Sequence, residues 1–460
     1  MTSHIYNPAD TLVAQYRAAT VVGLGVTGYS AARYLQARGL DVTVVDSRES
    51  PPLAGEFMRE FPDMKVQFGA FSEGQLNDAD LIIASPGISL KTPVLRDAKR
   101  SGVHIVGDIE LFLQENIKPV IAVTGSNGKS TVVTLVGEMC RAAELRTLVA
   151  GNIGLPALDA LTDSVDYDVA VLELSSFQLE TTSHVPAQAS AILNISADHM
   201  DRYDSMGDYM LSKARILRGA KQAVLPRHDE WLNQITNANQ VLSFELDKPV
   251  DDSDFGVLRK SGKRWLAKGN QKLMKLNDIP LTGRHNVKNV LSAFALVDSL
   301  NLPLKTVVSA VKKFKGLPHR MQTVAQHEGV LWVNDSKATN IGATETALSS
   351  IENDLVWIAG GQGKGADFND LKAAIAPHIK HLVLIGEDAE DIELALNGLL
   401  PTSRAKGMQA AVDMSSTLAG NSGVVLLSPA CASFDMFSGF EHRGNEFTKS
   451  VRALIERGGE

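Results

Sequence analysis

The sequence predicts an α/β protein of about three domains, each built on a mainly parallel sheet with helical crossovers. Two observations carry this. The chain has 460 residues, too many for one core at roughly 150 residues per domain. In three successive blocks, short apolar runs of strand length end at Gly, Ser or polar loops and lead into helix-like patterns. The composition excludes other classes. Apolar residues make up 44% and charged residues 21%, which fits neither a disordered nor a fibrous chain. A net charge of -8 argues against bulk attraction to nucleic acid or anionic lipid. Runs such as Val424 to Leu427 fall far short of the roughly 18 residues a membrane span needs. Met1 to Asp10 shows no basic segment followed by an apolar core, so no secretory signal is expected there. Cys140 and Cys431 sit in no metal or redox spacing and are expected to be reduced thiols of a cytoplasmic protein.

In the first block, Thr20 to Val22 reads as a strand, Gly28 to Arg38 as a helix closed by Gly39, and Val42 to Val45 as the next strand. Leu81 to Ala84 and Val103 to Val106 extend this sheet. Gly23-x-Gly25-x-x-Gly28 follows the first strand and Asp46 ends the second, a Rossmann-like arrangement. Such a loop serves any pyrophosphate, of a dinucleotide or of a nucleotide sugar, and the glycines could also serve packing alone.

The second block opens after Pro119. Val120 to Val123 is a buried strand, Thr124-Gly-Ser-Asn-Gly-Lys-Ser-Thr131 a P-loop-type phosphate loop, and a helix follows to about Ala143. Lys129 would neutralise phosphate charge and Ser130 could ligate magnesium. Val123 stands where the common loop has its first Gly. Val169 to Leu172 and Ala191 to Leu193 are further strands. Glu173 closes the former, where it could hold a divalent ion or sit as a surface carboxylate. Asn194 to Tyr203 follows the latter and is dense in polar groups. Asp247 to Lys275 reads as a basic surface hairpin turning at Ser261-Gly262. The third block begins beyond Gly316-Leu317-Pro318, with strands at Leu331 to Val333, Val356 to Ala359, Leu382 to Ile385 and Val424 to Leu427.

Several segments together resemble the Mur ligases. These are the phosphate loop, Glu173-Leu-Ser-Ser-Phe-Gln-Leu-Glu180, Asp198-His-Met-Asp-Arg-Tyr203, Gly316-Leu-Pro-His-Arg320, Asn334-Asp-Ser-Lys-Ala-Thr-Asn340 and Ser428-Pro-Ala-Cys-Ala-Ser-Phe-Asp435. The resemblance spans essentially the whole chain. It implies three domains: a Rossmann-like UDP-sugar domain over 1–107, a central P-loop-type ATPase α/β domain over 108–316, and a Rossmann-like C-terminal D-glutamate domain over 317–460. The implied activity is ADP-forming ligation of D-glutamate to UDP-N-acetylmuramoyl-L-alanine, in peptidoglycan precursor synthesis, by a cytoplasmic monomer with no nucleic-acid or membrane partner. Anionic substrates must be screened by cations and positioned; no enzyme nucleophile is needed.

By the same resemblance, Lys129, Glu173, His199 and Lys213 are catalytic. ATP would be held by Gly125, Ser126, Asn127, Gly128, Lys129, Ser130 and Thr131, with Asn286, Asn289, Arg320, Asp335 and Lys337. Two magnesium ions are implied, with Ser130, Glu173, His199 and Lys213 as ligands, the last as a carbamate. Sequence alone makes Lys213 an exposed helix lysine, Asn286 and Asn289 potential helix caps, and Asp335 with Lys337 a potential surface ion pair. Val26, Thr27, Gly28, Asp46, Ser47, Arg48, Ser85, Gly87, Asn152 and His199 match UDP-sugar positions, with Asp46 expected at the uracil. Thr339, Lys364, Ser433, Phe434 and Phe440 match D-glutamate positions. Gln362 and Gly365 depart from the family pattern, where many members carry Asp and Ser. An oxidoreductase using Gly23 to Gly28 for NAD would leave the phosphate loop and third block without a role, and a regulatory nucleotide-binding protein would not need the other sheets.

Overall fold

The computed structural model describes residues 11–235, 240–281 and 283–458; Met1 to Asp10, read above for targeting, lies outside them. Three sheets of five, nine and six strands follow one another along the chain. The first joins Ala18–Val22, Asp41–Asp46, Lys65–Phe68, Leu81–Ala84 and His104–Val106, all parallel. Its first strand lies between the second and fourth, so the crossovers reverse there and leave a crevice at the strands' carboxyl ends. The helix Val26–Ala37 begins at that crevice. Gly28 allows this close packing, because a Cβ there would stand 1.9 Å from the Gly23 carbonyl oxygen. Gly28→Ala should therefore cost about 1–3 kcal/mol of stability as overpacking. Urea denaturation would check this, and an unchanged midpoint would contradict it.

In the second sheet, Val120–Thr124 is flanked by Val169–Glu173 and Ala189–Ile192. All three are buried throughout, as continuous apolar runs in a parallel sheet should be. The helices Lys129–Ala142 and Arg284–Asp298 pack on one face around Val132, Val136, Val290 and Leu291. Beyond Gln222–Pro226 and Val241–Phe244 the sheet turns antiparallel. Phe255–Lys260 and Lys263–Lys268 form the expected hairpin, and Ser261 and Gly262 both have positive φ, 52° and 70°, as a type I′ turn requires. A third strand, Gln271–Lys275, pairs with the hairpin and ends the sheet.

The third sheet has Val330–Asn334, Gly423–Leu427, Leu355–Ala359, Ile379–Leu384 and Thr402–Arg404 in parallel, with Gln322–His327 antiparallel at one edge. The expected strands are all present, displaced by one to three residues at some ends. Sequence reading missed Lys65–Phe68, Thr147–Gly151, Gln222–Pro226, Val241–Phe244, Gln271–Lys275, Gln322–His327 and Thr402–Arg404. Several of these are edge strands with polar alternation, which look like loops in sequence. Cys140 and Cys431 are free and buried. No helix among the described residues is long and apolar enough to cross a membrane.

Candidate active site

The buried strand Val120–Thr124 delivers the phosphate loop. Gly125 and Gly128 take φ of 150° and 84°, and the helix begins at Lys129 with no side-chain cap on its first amides. Uncapped amides at a helix start suit a phosphate. A Cβ on Gly128 would lie 2.6 Å from Asn289 Oδ1, and its φ of 84° is itself one that favours glycine. The Lys129 ammonium donates to the carbonyls of Gly125 and Ser126 at 2.7 and 2.9 Å, and burial lowers its pKa. Ser126 is tied to Ser196, and Asn127 to Asn194, so the polar segment after the Ala189–Ile192 strand braces the loop.

Lys213 corrects the reading as an exposed helix lysine. The helix Met206–Ala214 turns this face under the phosphate loop, leaving Lys213 2% exposed with Nζ donating to the Gly125 carbonyl at 3.0 Å. Burial, then the Lys129 charge, drive its pKa well below the usual lysine value. Glu173 is not a surface carboxylate either. It is 1% exposed; Oε1 accepts from Asn152 Nδ2 at 2.8 Å, and Oε2 is buried with no hydrogen-bond partner among the described residues. His199 has a positive φ of 58°, packs on Phe177 at 4.8 Å between ring centroids, and has its pKa lowered mainly by burial. A neutral imidazole is the ligand-competent form. Among the described residues, no three His, Cys, Asp or Glu side chains are gathered closely enough to hold a metal by themselves. An ion here would need phosphate, hydroxyl or water ligands as well, a donor set typical of magnesium.

The third sheet's loops lie against this cluster. Arg320 Nη2 donates to Ser130 Oγ at 2.9 Å, Asn340 Nδ2 to Asp198 Oδ2 at 3.1 Å, and Lys364 Nζ stands 3.4 Å from Asp198 Oδ1. Lys364 and Gly365 both take positive φ, 53° and 72°, so the glycine that departs from the family pattern occupies a position natural to glycine. Lys337 lies 3.6 Å over the Phe440 ring, and burial followed by the Arg320 charge lowers its pKa to about 8. Asp335 is buried and makes no ion pair with Lys337 among the described residues. It accepts from the Met321 amide and Ser428 hydroxyl, and burial raises its pKa to about 7.

These groups line a cavity of about 240 Å³, into which Ser126 to Ser130, Asn152, Glu173, His199, Arg320, Lys337, Thr339, Lys364, Ser433, Phe434 and Phe440 all project. Phe434 is 71% exposed, at the rim. A second cavity of about 400 Å³ adjoins it, lined by Asn127, Gly128, Thr131, Asn286, Asn289, Arg320, Asp335 and Lys337. Asn286 and Asn289 face it from inside the helix Arg284–Asp298, which Gly283 precedes, so they are not its caps.

A third cavity of about 670 Å³ lies at the first sheet's crevice, lined by Val26, Thr27, Ser47, Arg48, Ser85, Gly87 and Asn152. Asn152 lines both this and the smallest cavity, so the two meet at its side chain. Gly28 and Asp46, expected at the nucleotide sugar, do not line it. Asp46 is 1% exposed and saturated by the Leu24 amide and the Arg48 guanidinium and amide; it shapes the loop from beneath. Gly125 and Lys213 likewise sit beneath the phosphate cavity.

Sequence reasoning assigned no role to Asp198, Asn340 or Arg202, though all three stand in segments it singled out. Arg202 donates to the Pro86 carbonyl at 2.7 Å and to Glu180 Oε2 at 2.7 Å, with its guanidinium 4.0 Å over the Phe177 ring. Asp108 and Gln178, also lining the third cavity, were given no role, although Gln178 stands in the segment Glu173 to Glu180 that was singled out.

The molecule is thus a three-sheet α/β protein that brings a phosphate loop, a buried acid and cations from two sheets to one cavity. Matches to known proteins agree. Residues 17–107, 123–297 and 319–431 match the families described as Mur ligase MurD-like N-terminal domain, Mur ligase middle domain, and Mur ligase glutamate ligase domain. A UDP-N-acetylmuramoylalanine--D-glutamate ligase from Methylobacillus flagellatus is 48% identical, covering 95% of this chain and 97% of that protein. One of the same name from Pseudomonas aeruginosa is 46% identical, covering 96% and 100%. The solved UDP-N-acetylmuramate-alanine ligase of Thermotoga maritima shares the fold, with a TM-score of 0.59 at 19% identity over 96% of this chain and 99% of that one. The chain belongs to the Mur ligase family.

Proposed function

We infer that this protein is an ATP-dependent amide ligase that joins D-glutamate to UDP-N-acetylmuramoyl-L-alanine, as relatives 48% and 46% identical to it are named to do. The observation that carries this is the convergence of Lys129, Arg320, Lys337 and Lys364 on one cavity that meets the first sheet's crevice at Asn152. A triphosphate and the carboxylates of both other substrates repel one another, and these cations can hold them together. The first sheet would bind the nucleotide sugar, the second ATP, and the third D-glutamate. The acceptor carboxylate takes the γ-phosphoryl group and releases ADP; the D-glutamate amine then attacks the acyl phosphate, and phosphate leaves. Lys364 and Ser433 are suited to the D-glutamate side-chain carboxylate by charge-assisted hydrogen bonds, and Asn286 and Asn289 to the adenine. The orphaned Glu173 Oε2, Ser130 and His199 suit magnesium, which when bound would offset charge on the transferring phosphoryl group. We place the reaction in the cytoplasm, in a monomer.

Phosphate release that requires both the UDP-sugar and D-glutamate tests this reading. Equal turnover with L-glutamate, or release with neither substrate, would sink it.

Arg202 suggests how the nucleotide-sugar loop and the catalytic loop keep register, because one guanidinium holds the Pro86 carbonyl, Glu180 and the ring on which His199 rests. Arg202→Ala should raise KM for the UDP-sugar about tenfold while KM for ATP stays near wild type, the loss of one charge-assisted link. Steady-state kinetics with each substrate varied would decide it, and equal rises in both KM values would argue for general misfolding.

A further inference from the structure

A cavity of about 1030 Å³, larger than the three above, lies around the antiparallel end of the middle sheet. Six cations line it: Lys248, Arg259, Lys260, Arg264, Lys272 and Arg284. Its single carboxylate, Asp247, is engaged by Arg227 and His228. None of the six has an ion-pair partner among the described residues, whereas Arg33, Arg146 and Arg227 are paired. On a chain of net charge -8 this is a concentrated, unneutralised positive surface. Its arrangement also opposes stability. Arg259 faces Arg264 directly across the hairpin, and Lys260 faces Lys263. Like charges directly opposite on paired strands are destabilising.

Edge-strand lysines commonly discourage sheet-to-sheet aggregation, which accounts for Lys272 and Lys275 on the outer strand. It does not account for Arg259 and Arg264 on the two inner strands, or for Lys248 and Arg284 from separate segments. The cavity is not purely polar: Leu246, Val257, Ile279 and Leu281 form an apolar floor.

We propose that this groove docks an extended acidic segment of a partner protein, its carboxylates meeting the six cations and its apolar side chains the floor. Nucleic acid fits less well. The one aromatic ring of the hairpin's turn-side half, Trp265, is covered by Lys272 and Lys275 at 4.6 and 5.8 Å, leaving no stacking platform. A lipid surface is flat where this site is concave.

The test is fluorescence anisotropy with a labelled peptide alternating Glu and Val, against the full-length protein, with a Lys-Val peptide as control. The acidic peptide should bind saturably and one to one, weaken with salt, and weaken about tenfold or more in an Arg259→Glu/Arg264→Glu variant that keeps wild-type turnover. Should that variant fail to fold, Arg259→Gln and Arg264→Gln made singly give the same comparison. Because like charges are separated, Arg259→Gln should also melt no lower than wild type. Unchanged peptide affinity in these variants would overturn the proposal. So would a single-stranded oligonucleotide or phosphatidylserine vesicles binding as tightly with the same sensitivity to the substitutions.

Discussion

Lys213→Ala is expected to lose about a hundredfold or more in turnover, and to regain part of it when a small carboxylate such as acetate is added. A lysine 2% exposed, close to a second ammonium, has its pKa pushed well below the usual lysine value, which favours the neutral amine. A neutral amine is the nucleophilic form. It can add to carbon dioxide, forming a C–N bond and releasing a proton, and the product is an anionic carbamate. That change would place an anion where a protonated lysine would oppose Lys129, and would give the cluster a further anionic group able to ligate magnesium. Wild-type activity should accordingly fall when bicarbonate is stripped from the buffer and return when it is restored. A purely structural lysine would show neither dependence. Thermal melting of the variant separates loss of fold from loss of chemistry. Full activity of Lys213→Ala without added carboxylate would remove the carbamate from the scheme.

Much of this site was legible in sequence because its residues lie at the ends of buried strands, where apolar runs break sharply into polar groups. Lys129, Glu173, Asn194 and Asp335 each follow such a run, and the parallel sheets bring those ends together. Lys213 was not legible. It lies within a helix whose own pattern, Met206–Ala214, gives no sign that the phosphate loop covers that face. Asp46 is a related case. Its position at a strand end is right for a ligand contact, but Arg48, two residues on, folds back and saturates it. Spacing reports where a side chain starts and not what it meets. The same limit applies to Arg202 and Asn340, whose partners Pro86 and Asp198 stand on loops of other sheets.

Glu173→Gln is expected to reduce turnover at least about a hundredfold and to raise sharply the magnesium concentration needed for half-maximal activity. The buried position is the ground for this. Glu173 Oε1 is committed to Asn152, whereas Oε2 is sealed from water and has no hydrogen-bond partner among the described residues. A buried carboxylate oxygen left unsatisfied costs about 1–3 kcal/mol or more, a cost a fold keeps where something binds there. Around it stand Lys129, Lys213, Arg320 and Lys337, and the Glu173 charge raises the pKa of each against the larger lowering effect of burial. Glutamine preserves the volume and the acceptor toward Asn152 but removes the charge and offers a donor where an ion should sit. The variant should therefore fold and bind the UDP-sugar with wild-type affinity while failing at phosphoryl transfer. Isothermal titration with the UDP-sugar, beside a magnesium titration of phosphate release, distinguishes the two effects. A variant with normal turnover at the wild-type magnesium requirement would place the metal elsewhere.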